Sequence, residues 1–252
     1  MHLPHYYGFK NLINLIELYM MELNLDLNEI LSLDKFTGEV PVFPLSNVVL
    51  FPYVLLPLHI FEDRYKKMLH DSLSGEKLIT MALLKPGWEK NYYDNPDVYD
   101  ISCLGRVIST EYFEDGRANV ILYGLKRVQI MKFLESTHYR LAEVSLINEM
   151  SDGTDELYRK HIEDLLLEWN QSMKEDQKAH RIEINTSLSL DKLTDTLTTL
   201  IITNVFDRQQ LLEEINPVKR AEIIIKCLET RLELIKLTSK ISRRIPKTRN
   251  LN

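Results

Sequence analysis

The chain is predicted to be an α+β protein in which a β-rich half precedes a helical half, on three observations. Short apolar or alternating runs of Val, Ile, Leu, Tyr and Phe, separated by turn residues, fill residues 40–150. Past Ser151-Asp152-Gly153 the apolar spacing lengthens from two to between three and four residues. The chain has 252 residues, 44% of them hydrophobic, which is enough for one large core or two modest ones. The second option divides it into an extension at 1–39, a β domain at 40–150 and a helical domain at 151–252 with a basic tail.

The extension is expected to be part helical. Its apolar cluster, Phe9, Leu12, Ile13, Leu15, Ile16, Leu18, Tyr19 and Met20, is interrupted by Glu17, and neither a basic segment nor a small-residue cleavage site flanks it. It reads as a helix packing on the body or on a partner rather than as a targeting or membrane segment.

Candidate strands follow at 40–44, 53–60, 77–84, 101–113, 117–134 and 139–148, with a helix at 62–73 among them. Asp115-Gly116 tolerates the positive φ of a hairpin turn, so 101–113 and 117–134 should pair antiparallel. A strand as long as 117–134 does not stay straight, so a break is expected at Tyr123-Gly124, with Gly105 marking another bend. Pro41, Pro44, Pro52 and Pro57 donate no backbone hydrogen bond, which makes their strands irregular or edge-located. The aromatic, turn-rich stretch 85–99 reads as a surface loop.

In the helical half, Leu157, Ile162, Leu165, Leu166 and Trp169 predict a helix over 154–174, and residues 190–205 a second. Asp207 and Gln210 form a capping box for a short helix ending at Ile215, and Asn216-Pro217 opens a long final one. Along that helix Val218, Ala221, Ile225, Leu228, Leu232 and Ile235 are compatible with a coiled-coil seam. Ile224, Leu234 and Leu237 widen the stripe to that of a helix facing a bundle core, which is the reading adopted.

Charge and chemistry narrow the function. Net charge is −6, and no segment is strongly basic: basic and acidic residues number 2 and 6 in 1–39, 12 and 14 in 40–150, and 17 each in 151–252. Nucleic-acid binding, which concentrates Lys and Arg against phosphates, is disfavoured. Cys103 and Cys227 stand far apart in apolar stretches, which argues against a disulfide or zinc site and suits a reducing, cytoplasmic setting. The sequence contains no GxxxxGK[ST] loop, GxGxxG turn, HExxH helix or GxSxG elbow, so no catalysis and no cofactor are expected. His59 interrupts an apolar run and reads as a hydrogen-bonded structural histidine. Glu62 and Asp63 followed by Arg64, Lys66 and Lys67 read as ordinary helix-end charges.

The run from Val42-Phe43-Pro44-Leu45 through Val48-Val49-Leu50-Phe51-Pro52 to Leu56-Pro57-Leu58 resembles the opening of the Lon protease amino-terminal, substrate-binding domain family. Ile60-Phe61-Glu62, Arg64-Tyr65, Leu104-Gly105-Arg106-Val107 and Tyr123-Gly124-Leu125-Lys126-Arg127-Val128 continue the likeness. So do Leu197 to Val205, Asp207 to Glu213 and the helix from Pro217, giving a coverage of about residues 40–243. The resemblance implies a PUA-like β pseudo-barrel followed by an α-helical bundle, without the ATPase and protease segments that follow in Lon, and a role in recognising protein substrates.

The expected function is therefore non-catalytic binding of exposed apolar or extended polypeptide, with an adaptor role among the options. Edge strands can add a peptide by backbone pairing while neighbouring pockets take its side chains. The candidate contacts are Leu45, Phe51, Pro52, Tyr53, Leu55, Ile60 and Phe61, with Trp88, Tyr92 and Tyr93 on the long loop. Candidate partners are unfolded polypeptide, a protease or chaperone, and a second copy of the chain; no membrane partner is expected. The alternative is an RNA-binding PUA-like protein, using Arg117, Lys126, Arg127 and Lys132 with Tyr112, Phe113 and Tyr123. A ligand cleft between the two halves is a further option.

Overall fold

The computed structural model describes residues 26–92, 95–136, 138–149, 155–173, 181–185 and 188–244. The expectations placed on residues 9–20, on the 151–153 linker, on Tyr93 and on the side chains of the basic tail lie outside these residues.

A short helix α1 (Leu27–Leu31) leads into β1 (Glu39–Leu45), β2 (Leu55–Ile60), α2 (Asp63–Ser74) and β3 (Leu78–Leu83). After a 3-10 turn at Trp88–Lys90 come β4 (Ile101–Tyr112), β5 (Ala118–Leu134) and β6 (Arg140–Leu146). The strand order is β2-β5-β4-β3-β1-β6, and β6 also pairs with β5. Five strands thus close into a ring, and β2 is appended to it with one neighbour. The β1–β3 pair is parallel and the remaining pairs are antiparallel.

β5 is the hub of this sheet. Its first half pairs with β2 and its second half with β6, while β4 runs along most of its length. A straight strand could not serve all three, and three bulges bend the ladder: Leu125, Ile108 and Met131 are each left without a partner opposite. The expected break at Tyr123-Gly124 is thus a bulge at the next residue, within a continuous strand. The hairpin turn falls where Asp115-Gly116 places it, with Gly116 at φ +79° and its N–H donating to the Phe113 carbonyl at 3.0 Å.

β1 is interior rather than at an edge, despite Pro41 and Pro44. It pairs with β6 over Glu39–Val42 and with β3 over Val42–Leu45, so the two ladders overlap at Val42 alone. Each proline therefore has one unpaired flank towards which its donor-less nitrogen can turn.

The helical half comprises α3 (Asp155–Ser172), α4 (Leu190–Ile201), α5 (Val205–Glu213) and α6 (Pro217–Arg244). The expected helix over 190–205 stops at Ile201, because Asn204 caps the next one by accepting the N–H groups of Phe206 and Asp207 at 2.8 and 3.1 Å. Asp207 therefore lies in the first turn of α5 instead of at its cap. Asn216 accepts the Val218 N–H at 2.8 Å, and Pro217 takes the first position of α6 as expected. Leu234 and Leu237 do not join the core; they are more than half exposed.

Residues from all five ring strands, among them Val42, Ala82, Leu104, Val128 and Val144, fill one apolar cluster inside the ring. The other face of the sheet shares a second cluster with the helices, in which Phe43, Phe51, Met68 and Leu122 meet Ile162, Leu193, Leu212 and Leu228. Cys103 is buried there, and burial pushes its thiol pKa up, as suits an inert core residue.

A buried charge cluster crosses this boundary. Arg127 of β5 donates to both carboxylate oxygens of Asp195 on α4 at 2.7 Å, from Nε to the Leu212 carbonyl at 2.9 Å, and to Glu149. Arg220 of α6 donates to Glu149 at 2.8 Å, to the Glu214 carbonyl at 2.8 Å and to Thr194 at 3.2 Å, and lies 3.3 Å from Asp195. Two cations and two anions balance, and every guanidinium nitrogen has an acceptor.

Asp195→Ala strands two buried guanidinium groups and is expected to lower the unfolding free energy by about 3–5 kcal/mol, read by urea denaturation. At Gly124 a Cβ would stand 2.0 Å from the Phe51 carbonyl oxygen, which belongs to the backbone and cannot swing away. Gly124→Ala is therefore expected to cost about 3 kcal/mol or more in the same assay.

Candidate functional site

The residues expected to contact polypeptide fall into three places. Phe51, Pro52 and Ile60 are buried, Phe51 and Ile60 almost completely, so they are core. The apolar run that suggested a sticky surface is instead the seam where the sheet meets the helices. Leu45 is half-buried against the same core. Trp88 and Tyr92 pack edge to face at 5.7 Å over the ring cluster, and the Tyr92 hydroxyl donates to Glu62 at 2.7 Å. They are a lid on the core rather than free anchors.

Tyr53 is half-buried at the turn before β2 and carries a positive φ of 64°, in the left-handed region that a bulky residue rarely adopts. Two backbone bonds hold it there: the Tyr53 N–H donates to the Gly124 carbonyl at 2.8 Å, and the Gly124 N–H to the Val54 carbonyl at 2.9 Å. Lys192 of α4 sits 4.7 Å from its ring centre. Burial first, then the negative charges of Asp191, Glu149 and Asp195, push the phenol up to about 12. Pro52, Tyr53, Arg127, Glu149 and Asp191 line a cavity of about 240 Å³ here, small for the ligand cleft considered between the two halves.

Leu55 and Phe61 remain, and they bracket β2, the one described strand that pairs along a single side throughout. Leu56, Leu58 and Ile60 turn one side of β2 to the sheet–helix core, and Leu55 turns the other to the ring cluster, leaving Pro57 and His59 exposed. Immediately beyond the strand Phe61 is 59% exposed, and Phe113, at the tip of the β4–β5 hairpin, is 40% exposed. The His59 ring joins them, stacked at 6.1 Å on Phe61 and edge-on at 5.9 Å to Phe113. Its Nδ1 donates to the Asn119 side-chain oxygen at 2.9 Å, which fixes the plane of the ring. Arg117 covers the far side of Phe113 at 5.7 Å while paired with Asp115 at 2.6 Å.

His59 makes the hydrogen bond expected of it, yet at the surface rather than in the core. Phe113 was legible as exposed, since it directly precedes a Glu-Asp-Gly turn; its meeting with Phe61 was not, because the two are brought together by β2–β5 pairing. Of the residues considered for an RNA face, Arg127 and Tyr123 are buried and Lys132 is paired with Glu143 at 2.7 Å, while Tyr112, Phe113 and Arg117 stand at the hairpin tip. Among the described residues no group of His, Cys, Asp and Glu is placed to hold a metal, and no helix is long and apolar enough to cross a membrane.

Solved structures place this fold with the amino-terminal domains of Lon proteases. The domain from the Mycobacterium avium complex aligns with 76% of this chain and 98% of its own, at a TM-score of 0.57 and 18% identity. That from Xanthomonas campestris aligns with 75% and 97%, at 0.53 and 20%. The family model for the ATP-dependent protease La (LON) substrate-binding domain matches residues 39–230, and the chain belongs to that family. The Lon proteases of Dictyoglomus thermophilum and Desulfosudis oleivorans are each 26% identical to it, over 223 and 217 residues, or 82% and 84% of this chain. The chain spans about a quarter of the length of these relatives.

Because the phenol of Tyr53 holds its proton more tightly folded than unfolded, its contribution to stability is complete below pH 10 and declines as pH rises from its ordinary 10 to about 12. Phenolate absorbance of the native protein and of Tyr53→Phe should differ by one tyrosine titrating near 12; a difference titrating at 10 would show Tyr53 to be solvated.

Proposed function

We propose that the chain is a non-catalytic recognition module that takes extended segments of other polypeptides along β2 and beds their apolar side chains against His59, Phe61 and Phe113. The observation that carries this is the coincidence of an open strand edge with exposed aromatic rings gathered around a hydrogen-bonded His59. An extended peptide gains affinity from backbone pairing at such an edge, and aromatic anchors beside it select side chains. Leu55 and Pro57 supply the adjoining apolar surface. Membership of a substrate-binding family and the Lon relatives support the class of ligand. The same reading takes the five-strand ring as the PUA-like pseudo-barrel, the helices from α3 onward as the bundle, and an adaptor working with a cytoplasmic protease or chaperone as the setting.

Reduced, carboxymethylated α-lactalbumin, labelled for fluorescence anisotropy, is a suitable unfolded probe. Phe61→Ser and Phe113→Ser should each weaken its binding about tenfold, equivalent to about 1.4 kcal/mol; the melting temperature should change little for Phe61→Ser, whose ring is more than half exposed, and a circular dichroism melt checks that the Phe113 variant folds. Failure of the native protein to bind the probe, or unaltered binding by the double variant, would reject the reading.

A further inference from the structure

The long helix α6 carries two apolar stripes. The first, Val218, Ala221, Ile224, Ile225, Leu228 and Leu232, is buried in the core shared with the sheet. Its flanks are occupied. On one side α3 runs alongside, with Tyr158 donating to Glu222 at 2.9 Å and Lys236 paired with Glu168 at 2.5 Å. On the other lies α4, reached by Arg220 at Thr194 and by Arg231 at the Ile201 carbonyl.

The second stripe lies on the opposite side of the helix, Cys227 at its margin being half-buried against the core. Ile223, Cys227, Thr230, Leu234 and Leu237 follow one another at steps of four, three, four and three residues, the spacing of a helix-pairing seam. Ile223, Leu234 and Leu237 are 48%, 56% and 54% exposed. A helix face whose only task is to meet water has no need of three large aliphatic side chains in register.

We infer that this face pairs with its counterpart on a second copy of the chain, the two α6 helices running antiparallel. The argument for that occupant is self-complementarity. A twofold axis passing beside residues 228 and 229 sets Ile223 against Leu234 of the second copy and Cys227 against Thr230 of the second copy, and then repeats both layers by symmetry. The same operation brings Lys226 opposite Glu233 of the second copy, twice. Both side chains are exposed, and neither has an ion-pair partner among the described residues. A parallel pairing would instead place Lys226 beside Arg231 of the second copy, like against like. The paired layers span about 17 Å of helix, so the contact is small and the dimer reversible and concentration-dependent.

Sedimentation equilibrium of the full chain over a concentration series tests this. The average mass should climb from 29.6 kDa towards twice that value. Leu234→Glu should hold it at the monomer, and Lys226→Glu should weaken association about tenfold, since two attractive pairs become repulsive. Combining Lys226→Glu with Glu233→Lys should restore it. These positions are solvated, and an unchanged circular dichroism melt would confirm that each variant folds. Under mild oxidation Thr230→Cys should give a covalent dimer joining Cys227 of one copy to position 230 of the other. A monomer at every concentration overturns the proposal, as does association indifferent to Leu234→Glu. A native protein that cross-links through Cys227 alone would reveal a parallel pair and overturn it too.

Discussion

Arg127 and Asp195 meet with no side-chain exposure at the plane where the sheet ends and the helices begin, and the arrangement of both halves depends on that contact. Removing two such ions from water costs several kcal/mol each, a penalty offset only when nearly every proton and lone pair finds a partner. Here they do. The fork of Arg127 closes on both oxygens of Asp195, its remaining nitrogen reaches the α5 backbone, and Arg220 with Glu149 completes the circuit. Apolar packing would tolerate a helix sliding by a fraction of a turn; a bidentate pair does not. The cluster thereby sets where α4 and α6 lie against β5. It also holds Glu149, just beyond β6, in contact with the helical half.

From that placement the proposed recognition surface follows at a distance. β5 carries Arg127 near its middle and pairs with β2 through its first half, so the helices that grip Arg127 also steady the strand on which β2 is hung. Gly124, pressed against the carbonyl of Phe51, ties the loop before β2 to the same strand. The aromatic rings at the far end of β2 thus stand on rigid elements, and their edge is presented in one orientation.

Much of this was legible from residue order. The strands fall within a few residues of their expected limits because short apolar or alternating runs are punctuated by turn residues, and the hairpin turn is announced by Asp115-Gly116. What escaped were features that depend on a third element. Pro41 and Pro44 look like edge residues, and only the staggered overlap of β3 and β6 along β1 explains their place in the interior. Phe51 and Ile60 look adhesive until the helices are laid over them. Arg127, Asp195 and Arg220 look like ordinary surface charges, because the partner of each lies tens of residues away. Periodicity reports which face of an element is apolar; it is silent on what that face meets, as Leu234 and Leu237 show.

Pro57 sits in the middle of the one described strand that pairs on a single side throughout. An unblocked edge of Leu and Ile would template the stacking of identical chains, strand on strand, into insoluble sheets. A proline at its centre breaks the row of donors such growth requires, while leaving the strand's pairing with β5 intact. Within six residues the strand thus keeps room for the proposed brief pairing with a short visitor, yet it offers no endless ladder to its own kind.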